Sequence, residues 1–272
     1  MIRLLLACAA LSSLSPLIKA ETQNVRLISS QFAPLQFQQQ TAEGYVVELF
    51  NKLRPKLKKT YQIELGEVEF YPWKRAYQIA SNSPDALFFS LSRTQQRENQ
   101  FKWLAEVSPY KQAIFSLTDQ QGVKQNNQIK NWQEMAQSNR LLAVQSGSHL
   151  EAHVQTHLAA SQISSVPHYP IAINMLFAER VDYIPLTAFL AKGTLCRHGY
   201  ASNRLNYNFD ISEFANPLWA AINKDANDEL VNILSIELKR LSQSIWYEDL
   251  QKQMIVDWNN RQCEQLASQQ PH

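Results

Sequence analysis

The most constraining feature of this 272-residue chain is the switch between two hydrophobic periods along its first hundred residues. Residues 25–29 form a short apolar run, and an extended loop follows in which Pro34 keeps Ala33 out of helical geometry. Val46, Leu49, Phe50, Leu53 and Leu57 then recur at helical spacing. Lys56, Lys58 and Lys59 fall in the last turn, where cations suit the negative end of a helix. Residues 61–70 alternate in part and predict a second strand. Residues 73–80 predict a second helix, and the apolar run 86–92 a buried third strand. Strands that alternate with helices in this way predict a parallel, right-handed open sheet whose loops gather along one edge.

Open α/β sheets bind ligands at that edge, and polar chemistry collects there in this chain. Ser90 and Ser92 fall at the end of the third strand, Arg97 follows five residues later, and Tyr71-Pro72-Trp73 lies upstream. Hydroxyls, backbone N–H groups and a guanidinium converging at a strand's carboxyl end make a carboxylate-binding corner. The competing description is a plain strand–turn with a surface arginine.

A second alternation follows the polar boundary segment 118–130. It predicts strands at 141–144, 163–166 and 181–186, the last demoted to an edge or bend by Pro185, and helices at 149–158, 171–178 and 187–195. Ser146 or Ser148, around Gly147, caps the helix that starts at His149 and leaves an anion-friendly end. Residues 199–210 fit no element. A strand at 217–222 and helices at 228–241 and 246–258 complete the order, with a fraying polar tail after Cys263.

The first twenty residues stand apart. Arg3, an apolar stretch over 4–17 and a small residue at Ala20 predict a secretory signal cleaved there. Ser12, Ser13, Ser15 and Pro16 break a stretch already too short to span a membrane, and the box at Leu5-Leu6-Ala7-Cys8 lacks the apolar core a lipoprotein signal needs. Losing Arg3 and Lys19 takes the formal charge from +2 to 0, which removes any electrostatic case for nucleic acid or anionic membrane as partner. Cys196 and Cys263 remain, an even pair in an exported chain, and predict either a disulfide or two separate thiols. His149, His153 and His157 share one helix face, with a solvated stripe favoured over a metal site.

Taken in order, the chain resembles family 3 of the extracellular, periplasmic solute-binding proteins, which includes the amino-acid receptors of ABC importers. The resemblance spans nearly all of the chain after the signal. It rests on Phe32-Ala33-Pro34, Gly44-Tyr45-Val46-Val47-Glu48-Leu49, Ser90-Leu91-Ser92 through Arg97, and Ser108-Pro109-Tyr110. It continues through Gln145-Ser146-Gly147-Ser148, Arg180-Val181-Asp182, Ile222-Asn223-Lys224-Asp225 and Trp246-Tyr247. The implied fold is α/β and periplasmic-binding-protein-like: two Rossmann-like lobes joined by two hinge strands. Lobe 1 would comprise 21–114 plus 223–272 and lobe 2 would comprise 115–222, with crossings near 114–116 and 219–222. Cys263 then falls in lobe 1 and Cys196 in lobe 2, so a bond between them would tether the lobes.

Residue by residue, the resemblance makes Arg97 the clamp on a ligand carboxylate, aided by Ser90 and Ser92. Phe32 and Trp73 become the aromatic pair around the ligand side chain, and Ser146, Gly147 and Ser148 the helix start that closes on the carboxylate. Family members that bind amino acids place an aspartate where this chain has Thr187, so recognition of an amino group is in doubt. The implied function is a non-catalytic, monomeric periplasmic receptor with no cofactor or metal, which passes a small carboxylate-bearing solute to an ABC permease. The alternatives are a periplasmic lyase or dehydratase on the same fold, and a ligand-sensing partner of a signalling receptor.

Overall fold

The computed structural model describes residues 22–118 and 129–269. The expected signal over 1–20 and most of the boundary segment 118–130 lie outside the described residues. The chain begins with β1 (Gln23–Ser29), the hairpin β2 (Phe37–Gln38) and β3 (Ala42–Glu43), α1 (Tyr45–Lys56) and β4 (Ile63–Phe70). It continues with α2 (Trp73–Asn82), β5 (Ala86–Ser92) and β6 (Phe101–Ser108). β1 pairs in parallel with β4 on one side and β5 on the other. Leu87 and Phe89 of β5 join a core with Leu49, Phe50 and Leu53 of α1. Phe88 and Leu91 join the opposite core with Ala76 and Ala80 of α2. Burial on both faces is why this strand reads as a nearly continuous apolar run.

A second set of elements follows: β7 (Gln112–Leu117), α3 (Trp132–Gln137), β8 (Leu142–Gln145), α4 (His149–Val154) and β9 (Ile163–Val166). Then come α5 (Tyr169–Phe177), β10 (Ile184–Thr187), α6 (Ala191–Arg197) and β11 (Leu205–Ile211). β7 is the middle strand of an antiparallel sheet in the order β10-β7-β11. β8 and β9 pair in parallel, and one bridge from Leu142 to Tyr183 connects them towards β10. β12 (Leu218–Asn223) then returns to the first sheet, and α7 (Asp228–Ser242) and α8 (Ile245–Gln269) follow. Among the described residues no helix is long and apolar enough to cross a membrane.

Four expectations need correction. The first sheet is mixed rather than parallel throughout, in the order β4-β1-β5-β12-β6, because β12 arrives from the second sheet without a crossover helix and lies antiparallel to both neighbours. The expected crossings at 114–116 and 219–222 fall inside β7 and β12. The chain changes sheet between Ser108 and Gln112 and again between Ile211 and Leu218. The unassigned stretch 199–210 contains most of β11. Its pattern is hidden because Asn206 and Asn208 are buried, each donating from Nδ2 to Ser116 Oγ, at 3.3 and 2.9 Å.

The fourth correction concerns the tail, which does not fray after Cys263 but stays helical to Gln269. The first half of α8 packs on the first sheet's core, where Tyr247 Oη and Gln251 Nε2 both donate to the Val107 carbonyl, at 2.6 and 3.0 Å. Its second half lies on α6. Gly193 permits this approach, because a Cβ there would sit 2.5 Å from Trp258 Cδ1. Asn259 fastens the contact, donating to the Phe189 carbonyl at 2.8 Å and accepting from Gly193 N at 3.0 Å. Cys196 and Cys263 form a disulfide across the same contact, S–S 2.09 Å. One helix thus touches both lobes, and the bond ties its far end to the second.

Candidate functional site

The carboxyl end of β5 turns sharply. Ser90 has a positive φ of 60°, and a 3-10 turn over Gln95–Arg97 returns Arg97 towards the strand it left. Arg97 Nη1 donates to the Ser92 carbonyl at 2.9 Å. Its guanidinium lies 5.1 Å from the Trp73 ring and 5.2 Å from the Tyr77 ring, which stack on each other at 5.3 Å. Arg97 is only 7% exposed, yet among the described residues no carboxylate is within ion-pair distance of it. Arg93, four residues earlier, shows the usual arrangement: it is exposed and paired with Glu98. Burial draws the Arg97 guanidinium below its ordinary pKa, and Tyr77 and Tyr110 act weakly the other way. Cation–π contacts contribute about 0.5–2 kcal/mol each, and a buried charge costs several kcal/mol without a partner. The site is therefore short of one anion.

The other expected residues divide. Phe32 packs edge-on to Tyr110, centroids 6.3 Å apart, so Phe32 and Trp73 each lean on a different tyrosine. Ser90 Oγ donates to Gln36 Oε1 at 2.7 Å, and Ser92 contributes its carbonyl to Arg97. Thr187, 7% exposed at the end of β10, accepts from Gln112 Nε2 at 3.2 Å. The same Nε2 donates to Tyr110 Oη at 2.6 Å. Burial pushes the Tyr110 phenol up to about 12, with Gln112 and Arg97 pulling the other way, so it stays protonated. Gln112 is 3% exposed, and its Oε1 has no hydrogen-bond partner.

The turn at Ser146, Gly147 and Ser148, which the resemblance makes the helix start that closes on a carboxylate, has its backbone donors engaged by the protein. Ser146 N donates to the Val166 carbonyl, Ser148 N to the Gln145 carbonyl, and Gly147 N to Glu151 Oε2 at 2.6 Å. Ser148 Oγ donates to the Gln145 carbonyl and caps Glu151 N. These donors are spent within the turn. Gly147, at a φ of 72°, instead lies against Lys74 of α2, whose Cδ would be 3.6 Å from a Cβ added there. The His149 imidazole, at the start of α4, is held below its usual pKa by burial first and by the charge of Arg97 second.

The histidine face is solvated only in part: His157 is exposed, while His149 and His153 are half-buried. His157 stacks on Trp132 at 5.1 Å, and His149 and His153 pack on Phe214 at 5.0 and 5.3 Å. Among the described residues no group of three potential ligands could hold a metal. Sequence reasoning missed Tyr77 and Gln112. Tyr77 was within reach, since it stands four residues after Trp73 on one helix face. Gln112 carries no local signal, because its partners lie across the sheet.

The model of bacterial extracellular solute-binding proteins, family 3, matches residues 26–257. The chain belongs to that family. A comparison with curated protein sequences finds no match. Similar solved structures share this solute-binding protein's fold at low identity. An ancestral arginine-binding protein bound to arginine has 17% identity and a TM-score of 0.69, over 85% of this chain and 97% of its own. The substrate-binding protein of an amino acid ABC transporter has 17% identity and a TM-score of 0.67, over 88% and 99%. A histidine kinase sensor domain with similarity to periplasmic binding proteins has 14% identity and a TM-score of 0.70, over 85% and 95%. In this solute-binding protein Arg97 is a desolvated guanidinium held against an aromatic wall.

Proposed function

We propose that this protein captures one small carboxylate-bearing solute between its two lobes, in the periplasm, and presents it to the permease of an ABC importer. The observation that carries the reading is Arg97, a buried guanidinium backed by Trp73 and Tyr77 and without an ion-pair partner among the described residues. A carboxylate meets two of its donors in plane, the strongest arrangement arginine offers. Phe32 and Tyr110 form the facing wall, and Gln112 with Thr187 the polar floor. Lobe 1 then comprises 22–108 with 218–269 and lobe 2 the residues between, with closure about the two sheet crossings. The likeness to a kinase sensor domain favours a second reading, a monomeric receptor reporting to a signalling partner by the same closure.

The test is a thermal-shift screen of amino acids, hydroxy acids, dicarboxylates and short peptides on the mature chain. A ligand at 100 times its Kd stabilises by about 2.7 kcal/mol. Arg97→Met should abolish the shift and leave the unliganded melting temperature unchanged or higher, because an uncompensated buried charge is removed. A full shift retained by Arg97→Met would sink the carboxylate clamp.

A further inference from the structure

The polar groups around Arg97 say more about the ligand than that it is an anion. Arg97 is within electrostatic reach of Tyr77, Tyr110 and His149, and Tyr169 is within reach of Tyr110; among the described residues no carboxylate figures in the surroundings that act on Arg97, Tyr110, His149 or Tyr169. Four acids of the second set of elements are committed elsewhere. Glu151 holds Gly147 N and Ser165, Asp182 holds Leu141 N, Asp210 pairs with Lys111, and Glu213 faces His153. Lys74 adds a further cation at the turn around Gly147. A ligand ammonium here would lie close to a buried guanidinium with nothing to neutralise it, at a cost of several kcal/mol.

The same centre contains an unmet amide acceptor. Gln112 Oε1 is buried and unbonded, on a side chain whose Nε2 already serves Tyr110 and Thr187. An amide oxygen left unsatisfied costs about 1–3 kcal/mol, and a ligand N–H or O–H removes that cost.

We propose that the cleft selects carboxylates whose second polar group is a neutral N–H or O–H donor, a 2-hydroxy acid or an N-acylated amino acid, over zwitterionic amino acids. The carboxylate sits on Arg97 and the neutral donor on Gln112 Oε1. This rests on the carboxylate role of Arg97, and the experiment separates the two.

Calorimetric titration of the mature chain uses matched sets built on one side chain: phenylalanine, 3-phenyllactate, N-acetylphenylalanine, 3-phenylpropionate and phenylpyruvate, with the equivalent alanine and leucine sets. In at least one set the hydroxy or N-acetyl acid should bind tenfold or more tighter than the amino acid, and tighter than the propionate-type acid that lacks the donor. In Gln112→Met, checked for folding by its melting curve, the advantage of the hydroxy or N-acetyl acid over the donor-free acid should vanish. An amino acid binding as tightly as its hydroxy and N-acetyl partners overturns the proposal. So does a preference for phenylpyruvate, whose keto oxygen only accepts and which would mean that the Gln112 amide presents its nitrogen. Failure of every hydroxy and N-acetyl acid to bind overturns it as well. If the acids bind equally to Arg97→Met, the carboxylate role of Arg97 fails instead.

Discussion

Replacing Cys196 and Cys263 together with alanine tests what α8 contributes. The bond closes a loop across 67 positions that starts on α6, runs through β11 and β12, and ends near the last turns of α8. Restricting a loop of that length in the unfolded chain is worth about 4.4 kcal/mol on the chain-entropy relation. For a protein of this size 1 kcal/mol moves the melting temperature by about 2–4 °C, so the pair should lower it by about 9–18 °C. The packing beneath the bond limits the structural consequence: Trp258 on Gly193, the Asn259 bridge and the Arg197 guanidinium 5.3 Å from the Trp258 ring remain. The native fold should therefore persist, with faster amide exchange confined to the last turns of α8. Alanine suits Cys196, which is 5% exposed, because serine would add a buried hydroxyl. The assay is calorimetric melting alongside hydrogen exchange. A melting temperature within 3 °C of the parent, with unchanged exchange over 259–269, would refute the reasoning and mean that packing alone fixes α8.

Two further outcomes follow from packing and charge. Gly193→Ala should destabilise by about 1–3 kcal/mol in urea titration, although alanine is the better helix former, since its Cβ would lie 2.5 Å from Trp258 Cδ1 and 2.6 Å from the Trp258 carbonyl. Glu237, 3% exposed, receives Lys56 at 2.5 Å, Arg240 at 3.1 Å and Tyr61 Oη at 3.0 Å. Burial pushes its carboxyl up, but these donors outweigh burial and hold it below the usual value. Its contribution is thus complete above pH 4.5 or so and is lost as the pH falls through the lowered folded value. Glu237→Gln should cost about 1.5–3 kcal/mol at pH 7 and flatten stability against pH below 4.5, as read by urea midpoints across that range.

Much of this protein could be read before its structure. Helical spacing alone located α1, because Val46, Leu49, Phe50 and Leu53 are all buried. The β5 run and the arginine after it located the corner that holds Arg97, because a strand, its turn and the returning side chain are neighbours in sequence. Local periodicity reports which face of an element is buried, and that is a property of a dozen residues at a time. Partners separated by long stretches of chain are not encoded that way. Gln112 meets Thr187 across 75 positions and Cys196 meets Cys263 across 67. Only the assembled sheets show that β12 lies antiparallel between β5 and β6, that β11 hides its asparagines against Ser116, and that Glu151 occupies Gly147 N. Sequence determined the elements and the cation. Tertiary structure decided that the cation is buried with no anion beside it among the described residues, because desolvation depends on what packs around a group from every direction at once.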